Sequence, residues 1–308
     1  MRVAGIREVR GPIQSLDVAG TRAAGRDEVL IEVMAAGVGN WDEFARTGAW
    51  DLGRGPPMAL GVEAAGVVAE VGAGVEDWEV GDHVLTHPLP LRDQGTWAPR
   101  LLAPAALVAE KPGAVSWNDA AAFPVPALTA EQVVTEALDV QPGEAVLVNG
   151  GSGVTGALIV SLAAMRGASV IATASPHNHE RLRRLGAHHL IDYHDVHWPE
   201  RVRELTNGDG VASAANATPG GAAKALGAVG DGGRLATITS DPPAETRGIG
   251  VASVYVRADG AQLRRLVEML GAGTLEVSVT SVFHLDDAAA ALASVVRGRG
   301  GGASVLVL

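Results

Sequence analysis

Hydrophobic and polar positions change their spacing along the chain and so divide it into parts. From Met1 to about Pro112, short β-rich segments such as VLIEVMAAGV and AAGVVAEVG lie between Gly, Pro and Asp turns, a pattern typical of a small barrel or sandwich. The next segment, SWNDAAAFPVPALTAEQVVTEAL, has helical character. Pro124 and Pro126 predict a break within it.

A strand and helix alternation occupies the middle of the chain, from Glu144 to about Ile238. Buried strands such as AVLVNG and SVIATA alternate with helical segments such as GALIVSLAAMRG and HERLRRLG. This alternation predicts parallel strands joined by crossover helices. The middle of the chain is therefore expected to be a doubly wound α/β domain.

The tail after Gly250 also contains both predicted helices and predicted strands. It predicts an amphipathic helix over 262–270, a strand near 278–283, an Ala-rich helix capped by Asp286 and a closing ASVLVL strand. Such a tail is too small to fold alone, and we expect it to pack on the first part. The predicted domains are 1–117 for the substrate, 118–252 for the nucleotide, and 253–308 as the segment that completes the substrate domain.

The composition of the chain excludes several classes of function. With 308 residues, 47% hydrophobic and 19% charged, the chain suits two globular domains. The absence of cysteine excludes disulfides, thiolate nucleophiles and thiolate-held metals. A net charge of −11 without a basic, aromatic-rich cluster argues against a nucleic-acid partner. The chain also lacks a membrane-length apolar stretch and a secretory leader pattern, so we expect no membrane association and a cytoplasmic location.

A glycine-rich run follows the strand AVLVN directly. Residues 150–156 read Gly-Gly-Ser-Gly-Val-Thr-Gly and open a helix. Glycine permits a tight turn and close approach of the backbone to a pyrophosphate, which binds to N–H groups at the helix N-terminus. The run predicts a dinucleotide site, although a chain with 40 glycines also forms ordinary glycine-rich turns.

The residues that follow the next strand indicate whether the dinucleotide is NAD(H) or NADP(H). An NAD site usually has an acidic residue at the end of this strand, where it binds the ribose hydroxyls. Here Ser175 and His177 follow the strand, and the first carboxylate is Glu180. A carboxylate in contact with a 2′-phosphate would repel it by up to about 4 kcal/mol. Its absence, with Arg181 nearby, favours NADP(H); the alternative is that these are solvated residues at a helix start.

Several longer segments together carry a family resemblance. They include AAGVGNWDEFARTG, LGVEAAGVVAEVGAGVEDWEVGDHV, GTWAPRLLAP, AAAFPVPALTA and VLVNGGSGVTGALIVSLAAMRGASVIATAS. The chain resembles the zinc-free quinone oxidoreductase branch of the medium-chain dehydrogenase/reductase superfamily, to which polyketide and fatty-acid enoyl reductases are similar. The resemblance implies a GroES-like β-barrel domain formed from both chain ends, a central Rossmann domain and a homodimer.

Zinc-dependent members of that superfamily have a cysteine in a Gly-Val-Cys-His-x-Asp stretch and a histidine in Gly-His-Glu. The matching positions here are Gly39 and Val62. Catalytic zinc needs three protein donors and an open position, so we expect no metal. Without zinc to stabilise an alkoxide, reduction of a conjugated carbonyl or quinone is the favoured reaction.

We therefore predict a zinc-independent, NADPH-dependent oxidoreductase that transfers hydride to a quinone, an enone or a polyketide-like conjugated carbonyl. One alternative is an enoyl reductase acting on a carrier-bound or CoA thioester. Another is a non-catalytic NADPH-binding sensor or scaffold. The expected partner is a small-molecule substrate.

Candidate site residues follow from the motifs and the resemblance. The candidates that line the substrate pocket are Asn40, Asp42, Trp50 and Tyr255; a helix cap remains the alternative for Asp42, and core packing for Trp50. The resemblance implies that Thr129 lies beside the nicotinamide and Tyr193 near the ribose phosphate. The full set of predicted cofactor-binding residues is Thr129, Gly150, Gly151, Ser152, Gly153, Val154, Thr155, Ser175, His177, Arg181, Tyr193, Asn216 and Ile238.

Overall fold

The computed structural model describes residues 1–298 and 302–308. Their contacts form two compact units: unit 1 comprises Met1–Leu128 with Arg257–Leu308, and unit 2 comprises Thr129–Val256. The two chain ends thus share one unit, as the sequence predicted. The finer domain boundaries after residues 117 and 252 stay a prediction.

The first part of unit 1 is rich in short strands. Its elements are β1 Arg2–Ile6, β2 Gln14–Asp17, β3 Glu28–Val38, α1 Asn40–Thr47, β4 Met58–Ala59, β5 Ala64–Val71, β6 His83–Thr86, β7 Arg100–Pro104, β8 Val108–Glu110, α2 Trp117–Ala121 and α3 Pro124–Gln132.

The predicted helix break falls between α2 and α3. Pro124 is the first residue of α3, a position where the missing N–H is not needed by the helix. The chain then continues as a π-helical turn over Val133–Ala137.

Unit 2 contains the predicted alternation. Its elements are β9 Ala145–Asn149, α4 Val154–Met165, β10 Ser169–Thr173, α5 His179–Arg184, β11 His189–Ile191, α6 Trp198–Leu205, β12 Val211–Asn216, α7 Ala222–Ala228, β13 Val229–Thr237 and β14 Gly250–Ser253.

Every strand pairing in the sheet of unit 2 is parallel. The strand order is β11-β10-β9-β12-β13-β14. Numbered within the unit, this is 3-2-1-4-5-6, the doubly wound order of dinucleotide-binding domains, in which ligands bind outside the carboxyl ends of the strands. The fold class predicted from the sequence is confirmed.

The returning segment adds α8 Gly260–Gly271, β15 Val279–His284, α9 Ala288–Val296 and β16 Ala303–Val307. Strand β16 pairs antiparallel with β3, and β15 pairs parallel with β16. Among the described residues of unit 1 the main sheet therefore runs β15-β16-β3-β5-β6-β8, with β7 also paired to β3. The tail completes this sheet, as expected.

The predicted cap of the Ala-rich helix is wrong by one residue. The N-cap of α9 is Asp287, which makes no side-chain cap bond. Asp286 lies in the preceding 3-10 turn and forms an ion pair with Arg2 at 3.0 Å. The extra turn separates Asp286 from the α9 backbone, and the sequence pattern did not reveal this turn.

Each unit has its own apolar core. In unit 2, Leu147 and Ile171 from the sheet pack in one buried cluster with Trp198, Val202 and Leu226 from the helices. Strands buried on both faces read as continuous apolar runs, which explains segments such as AVLV and SVIA. No helix within residues 1–298 and 302–308 is both long and apolar enough to cross a membrane.

Candidate functional site

The glycine-rich loop lies between β9 and α4, at the carboxyl end of the first strand of unit 2. Gly150 has a φ of +86°, which disfavours any residue with a side chain. A Cβ at Gly156 would collide with the carbonyl of Gly150. Helix α4 begins at Val154, after the N-cap Gly153, so the N–H groups of its first turn lack intrahelical acceptors and can bind an anion.

A row of buried polar side chains fixes the start of this loop. Thr173 Oγ1 donates to Asn149 Oδ1 at 2.7 Å and accepts from the N–H of Gly150 at 2.9 Å. Asn149 Nδ2 donates to Asn216 Oδ1 at 2.8 Å. Asn149, Thr173 and Asn216 are all buried and are the last residues of β9, β10 and β12. This row holds the loop in register with the sheet.

Asn216 is the last residue of β12, at the carboxyl end of the strand as the sequence indicated, and its role in cofactor binding stays a prediction. Its side chain is fully buried, and Nδ2 lies within hydrogen-bonding distance of the hydroxyls of Thr237 (3.1 Å) and Thr239 (3.0 Å). These bonds make Asn216 a support of the loop. The sequence singled out Asn216 alone, although Asn149 and Thr173 end their strands in the same way and could have been found by that pattern.

An acidic residue completes the row. Asp241 Oδ1 accepts from the hydroxyls of Thr237 at 2.7 Å and Thr239 at 2.6 Å. Burial on its own would raise the pKa of Asp241, but these hydroxyls and the N–H of Ala222 together hold that pKa below its usual value. A carboxyl with a lowered pKa stabilises the fold above its unfolded-state pKa and loses this contribution as pH falls through the folded-state value.

The predicted ribose-phosphate residues follow β10 and β11. Ser175 Oγ lies 3.4 Å from the hydroxyl of Tyr193, and Arg181 donates to the carbonyl of Ser152 at 3.5 Å. His177 is exposed in the turn after Ser175 and contacts Asn178 at 3.1 Å. The fold thus brings Ser175 and Tyr193 together and connects Arg181 to the glycine-rich loop.

Two residues next to Tyr193 were missed. Asp192 Oδ1 lies 2.6 Å from His194 Nδ1, and the rings of Tyr193 and His194 stack at 4.2 Å between centroids. The argument for NADP(H) from the sequence considered only the carboxylates that follow β10. The end of β11 adds a carboxylate to the same edge of the sheet, and an imidazole accompanies it.

Three further predicted residues belong to other segments of the sequence. Thr129 is buried in α3 as the first residue of unit 2. Ile238 follows β13, and its N–H donates to the carbonyl of Asn216 at 3.1 Å. Tyr255 is 58% exposed and lies near the end of unit 2, and its place in the substrate pocket stays a prediction.

The other pocket candidates surround α1 in unit 1. Asn40 is the half-buried first residue of α1, and Trp50 is half-buried beyond its end. Asp42 is fully buried, and its Oδ2 accepts from the N–H of Gly39 at 2.9 Å. This bond is the helix cap that the sequence left as an alternative. The ring of Trp50 lies 6.2 Å from that of His87, a residue the sequence did not single out.

The position of the zinc-binding cysteine in related enzymes is filled here by a neighbouring side chain. A Cβ at Gly39 would collide with the indole ring of Trp41. Val62, at the other lost donor position, is fully buried. Within the described ranges, no group of three His, Asp or Glu residues could hold a metal ion. The residues present do not fit a catalytic zinc, which needs three donors and an open position.

The ionisable side chains buried beside Gly39 and Val62 favour their uncharged forms. Burial raises the pKa of Asp42 to about 8, against the opposing effect of the Gly39 N–H. Burial also raises the pKa of Glu63 well above its usual value, and lowers that of His87 to about 4. At neutral pH this interior therefore carries little charge.

Comparisons with known proteins agree with this architecture. Residues 25–113 match the alcohol dehydrogenase GroES-like domain family, and residues 185–306 match the zinc-binding dehydrogenase family. The chain belongs to the medium-chain dehydrogenase/reductase superfamily. Members of that superfamily bind nicotinamide cofactors.

Two curated relatives are similar over part of their length. The chain is 33% identical over 290 residues to erythronolide synthase EryA2 of Saccharopolyspora erythraea, covering 91% of the chain but 8% of that protein. It is 36% identical over 193 residues to 2-haloacrylate reductase of a Burkholderia species, covering 61% of the chain and 57% of that protein. The chain therefore spans less than two thirds of either relative.

Solved structures are similar over the full length. An NAD-dependent alcohol dehydrogenase superposes with a TM-score of 0.89 at 28% identity, covering 100% of both chains. A mycobacterial protein in complex with NADPH superposes with a TM-score of 0.87 at 26% identity, again covering 100% of both chains. The two similar structures differ in the cofactor that their names state.

Thr173→Val tests the row of polar side chains under the loop. The substitution keeps the shape but leaves the N–H of Gly150 and the amide of Asn149 without their partner, so we expect a loss of about 1–3 kcal/mol in unfolding free energy and weaker nucleotide binding. Urea unfolding and nucleotide titration measure the two effects. Thr246→Val, at an exposed position of unit 2, is the control; equal effects of both substitutions would contradict the role of Thr173.

Asp42→Asn tests the buried carboxyl. The folded protein holds a proton on Asp42 up to about pH 8, whereas the unfolded chain releases it near pH 4, so stability falls as pH rises between these values. The asparagine variant keeps the bond to Gly39 and should lose this part of the slope, up to about 1.4 kcal/mol per pH unit. Thermal unfolding from pH 5 to pH 8 measures it, with the exposed Asp17→Asn as control; an unchanged slope would count against a protonated Asp42.

Proposed function

We propose that this protein is a zinc-independent, NADPH-dependent oxidoreductase that transfers hydride to a quinone, an enone or a similar conjugated carbonyl compound. The observation that carries the proposal is the combination of an anion-binding loop in unit 2 with the indole of Trp41 in the space of a zinc ligand in unit 1. The loop favours a dinucleotide, and the filled space disfavours a metal-held alkoxide.

NADPH, when bound, supplies the hydride. The N–H groups at the start of α4 would bind its pyrophosphate. Ser175, Tyr193 and Arg181 would bind the ribose phosphate, since β10 ends without a carboxylate and the Arg181 guanidinium reaches the loop. The mycobacterial relative solved with NADPH supports this cofactor; the NAD-dependent alcohol dehydrogenase makes NADH the competitor to test.

The acceptor follows from the uncharged interior of unit 1. A conjugated carbonyl already spreads the charge that hydride addition leaves on it, so it needs only hydrogen bonds and correct placement. Asn40 offers an amide at the half-buried start of α1, and Trp50 offers an apolar face. We assign these two residues to the acceptor: the amide to orient its carbonyl oxygen and the indole to exclude water.

A thioester-linked acceptor is the second candidate. The similarity to a segment of erythronolide synthase EryA2 over 91% of the chain favours an enoyl group on a carrier protein or CoA. Free enones and quinones stay preferred because the chain is acidic, with a net charge of −11, and carrier proteins that dock on basic patches would be repelled. Turnover of a crotonyl thioester but of no free enone or quinone would establish the second candidate.

We further propose a homodimer that takes only a small-molecule substrate. Strand β14 stands at the edge of the parallel sheet of unit 2, and an edge strand offers backbone N–H and C=O groups for pairing with a second copy.

The proposal predicts a preference for NADPH over NADH and turnover that does not need a metal. Purified protein should bind NADPH roughly tenfold or more tightly than NADH, because a 2′-phosphate gains at least one charge-assisted hydrogen bond. NADPH oxidation with a panel of quinones, enals and enones should proceed at a rate that changes less than about twofold after treatment with a metal chelator. Fluorescence titration and absorbance at the reduced-nicotinamide band measure these results.

Three outcomes would contradict parts of this proposal. Loss of turnover on chelation, restored by zinc, would contradict the metal-free reaction. A preference for NADH would contradict the cofactor. Tight binding of NADPH with no oxidation by any acceptor would favour a sensor or scaffold.

A further inference from the structure

The row of polar side chains under the glycine-rich loop ends at one charged group, Asp241. Its carboxyl lies in the segment that follows β13, where Oδ1 accepts from the hydroxyls of Thr237 at 2.7 Å and Thr239 at 2.6 Å. Oδ2 accepts from the N–H of Ala222, the first residue of α7, at 3.4 Å. Burial opposes ionisation, but these donors outweigh it and lower the pKa of Asp241. The side chain is therefore a carboxylate at neutral pH and can only accept hydrogen bonds.

A group that only accepts fixes the direction of the two hydroxyls. Each hydroxyl has one proton, and both are donated to Asp241. The oxygens of Thr237 and Thr239 are then acceptors for the amide of Asn216, which presents Nδ2 to them at 3.1 Å and 3.0 Å. The carbonyl of Thr218 accepts from the same nitrogen at 3.0 Å and favours the same orientation. Asn216 Oδ1 is therefore turned toward β9.

The same reasoning determines each following bond as far as the loop. Asn216 Oδ1 accepts from Asn149 Nδ2 at 2.8 Å, so Asn149 Oδ1 accepts from the hydroxyl of Thr173 at 2.7 Å. Thr173 Oγ1 in turn accepts from the N–H of Gly150 at 2.9 Å. Turning one of the two amides over would bring two oxygens or two nitrogens together. Turning both over would aim Asn216 Oδ1 at hydroxyls that already donate to Asp241.

We propose that Asp241 is a positioning residue for the dinucleotide: through this series of hydrogen bonds, its carboxylate holds the N–H of Gly150 and so keeps the glycine-rich loop in its binding conformation. This role does not require contact between Asp241 and the nucleotide. The inference rests on the proposed binding of a dinucleotide at this loop and adds a residue from the segment after β13. It follows from the printed contacts of five neighbouring side chains, whose bonds in series strengthen one another.

The substitution Asp241→Asn keeps the shape of the side chain but adds an NH2 group that can donate. The two threonine hydroxyls would then accept from this group and donate to Asn216 Oδ1, so both amides of the row could turn over together. In that reversed series, Asn149 Nδ2 competes with the N–H of Gly150 for the oxygen of Thr173. The bond that holds the loop is thereby weakened, although no side chain of the row has been removed.

The first test is a titration of NADPH and of NADH into the wild type and Asp241→Asn, followed by fluorescence or calorimetry. The loop binds the part that both nucleotides share, so both Kd values should rise roughly fivefold or more, as expected when a hydrogen bond that depends on a charged group is weakened. Their ratio should stay within about twofold of the wild-type ratio. Glu245→Gln removes an exposed carboxylate further along the same segment and, as the matched control, should change neither Kd.

A double-mutant cycle separates transmission along the row from a local effect of Asp241. Thr173→Val removes the last hydroxyl of the series, so adding Asp241→Asn to that variant should change the Kd for NADPH less than about twofold. Thr173→Ser keeps the hydroxyl, so the full effect of Asp241→Asn should return in that background. Equal effects of Asp241→Asn in the wild type and in Thr173→Val would overturn the inference.

The bond to Gly150 can also be observed by NMR without any nucleotide. The sequence contains two Asn-Gly pairs, Asn149–Gly150 and Asn207–Gly208, so labelling asparagine carbonyls with ¹³C and glycine nitrogens with ¹⁵N selects two amide signals. Asn207→Asp removes one signal and thereby assigns both. Asp241→Asn should shift the amide proton of Gly150 in the direction of a weaker hydrogen bond. The signal of Gly208, whose N–H donates to the carbonyl of Arg203, should stay in place.

The outcomes distinguish this inference from the proposed function. A wild type that prefers NADH contradicts the proposed cofactor, but the inference stands if both Kd values rise in Asp241→Asn. Unchanged Kd values, or an unmoved Gly150 signal, overturn the inference and leave the cofactor assignment standing. If the wild type binds neither nucleotide, the proposed function and this inference both fail.

Circular dichroism verifies that each variant is folded. If Asp241→Asn does not fold, Thr239→Val replaces it, because this substitution removes one of the two hydroxyls between Asp241 and Asn216. It should raise both Kd values and move the Gly150 signal in the same direction by a smaller amount. Unchanged Kd values in folded Thr239→Val would equally overturn the inference.

Discussion

The site depends on how a parallel sheet ends. At the carboxyl edge of the sheet of unit 2 the strands end, and the backbone no longer pairs with neighbouring strands. Buried polar groups there need other hydrogen-bond partners, because an unpaired one lowers the stability of the fold by about 1–3 kcal/mol. Asn149, Thr173 and Asn216 satisfy one another across neighbouring strands and also hold the N–H of Gly150. One set of bonds therefore both satisfies the polar groups at the edge of the sheet and positions the glycine-rich loop.

The fold was largely predictable because each of its helices, strands and turns is determined by a short stretch of sequence. Each buried strand reads as a short apolar run, each crossover as a helical segment, and each turn as a Gly or Pro cluster, so the alternation between 144 and 238 determines a doubly wound sheet. The position of Asp286 was not predictable in this way. Asp286 instead lies in a 3-10 turn and pairs with Arg2, a residue from the opposite end of the chain that the local pattern does not include.

The candidate site was predictable only where one segment carries it. The loop over 150–156 is contiguous, and its glycines are required by a positive φ at Gly150 and by close approach at Gly156. Tyr193, which follows β11, comes close to Ser175, which follows β10. Contacts between residues that follow different strands depend on the order of the strands in the sheet. A motif within one segment of the sequence therefore does not predict them.

The indole of Trp41 beside Gly39 also limits how this chain could change its chemistry. Placing a cysteine at position 39 would not recreate a metal donor, because the new thiol and the existing ring would compete for the same volume. A second replacement, at position 41, would have to accompany it, and a third at Val62 would be needed for the histidine donor. No single substitution at position 39, 41 or 62 would therefore assemble the three donors that a catalytic zinc needs.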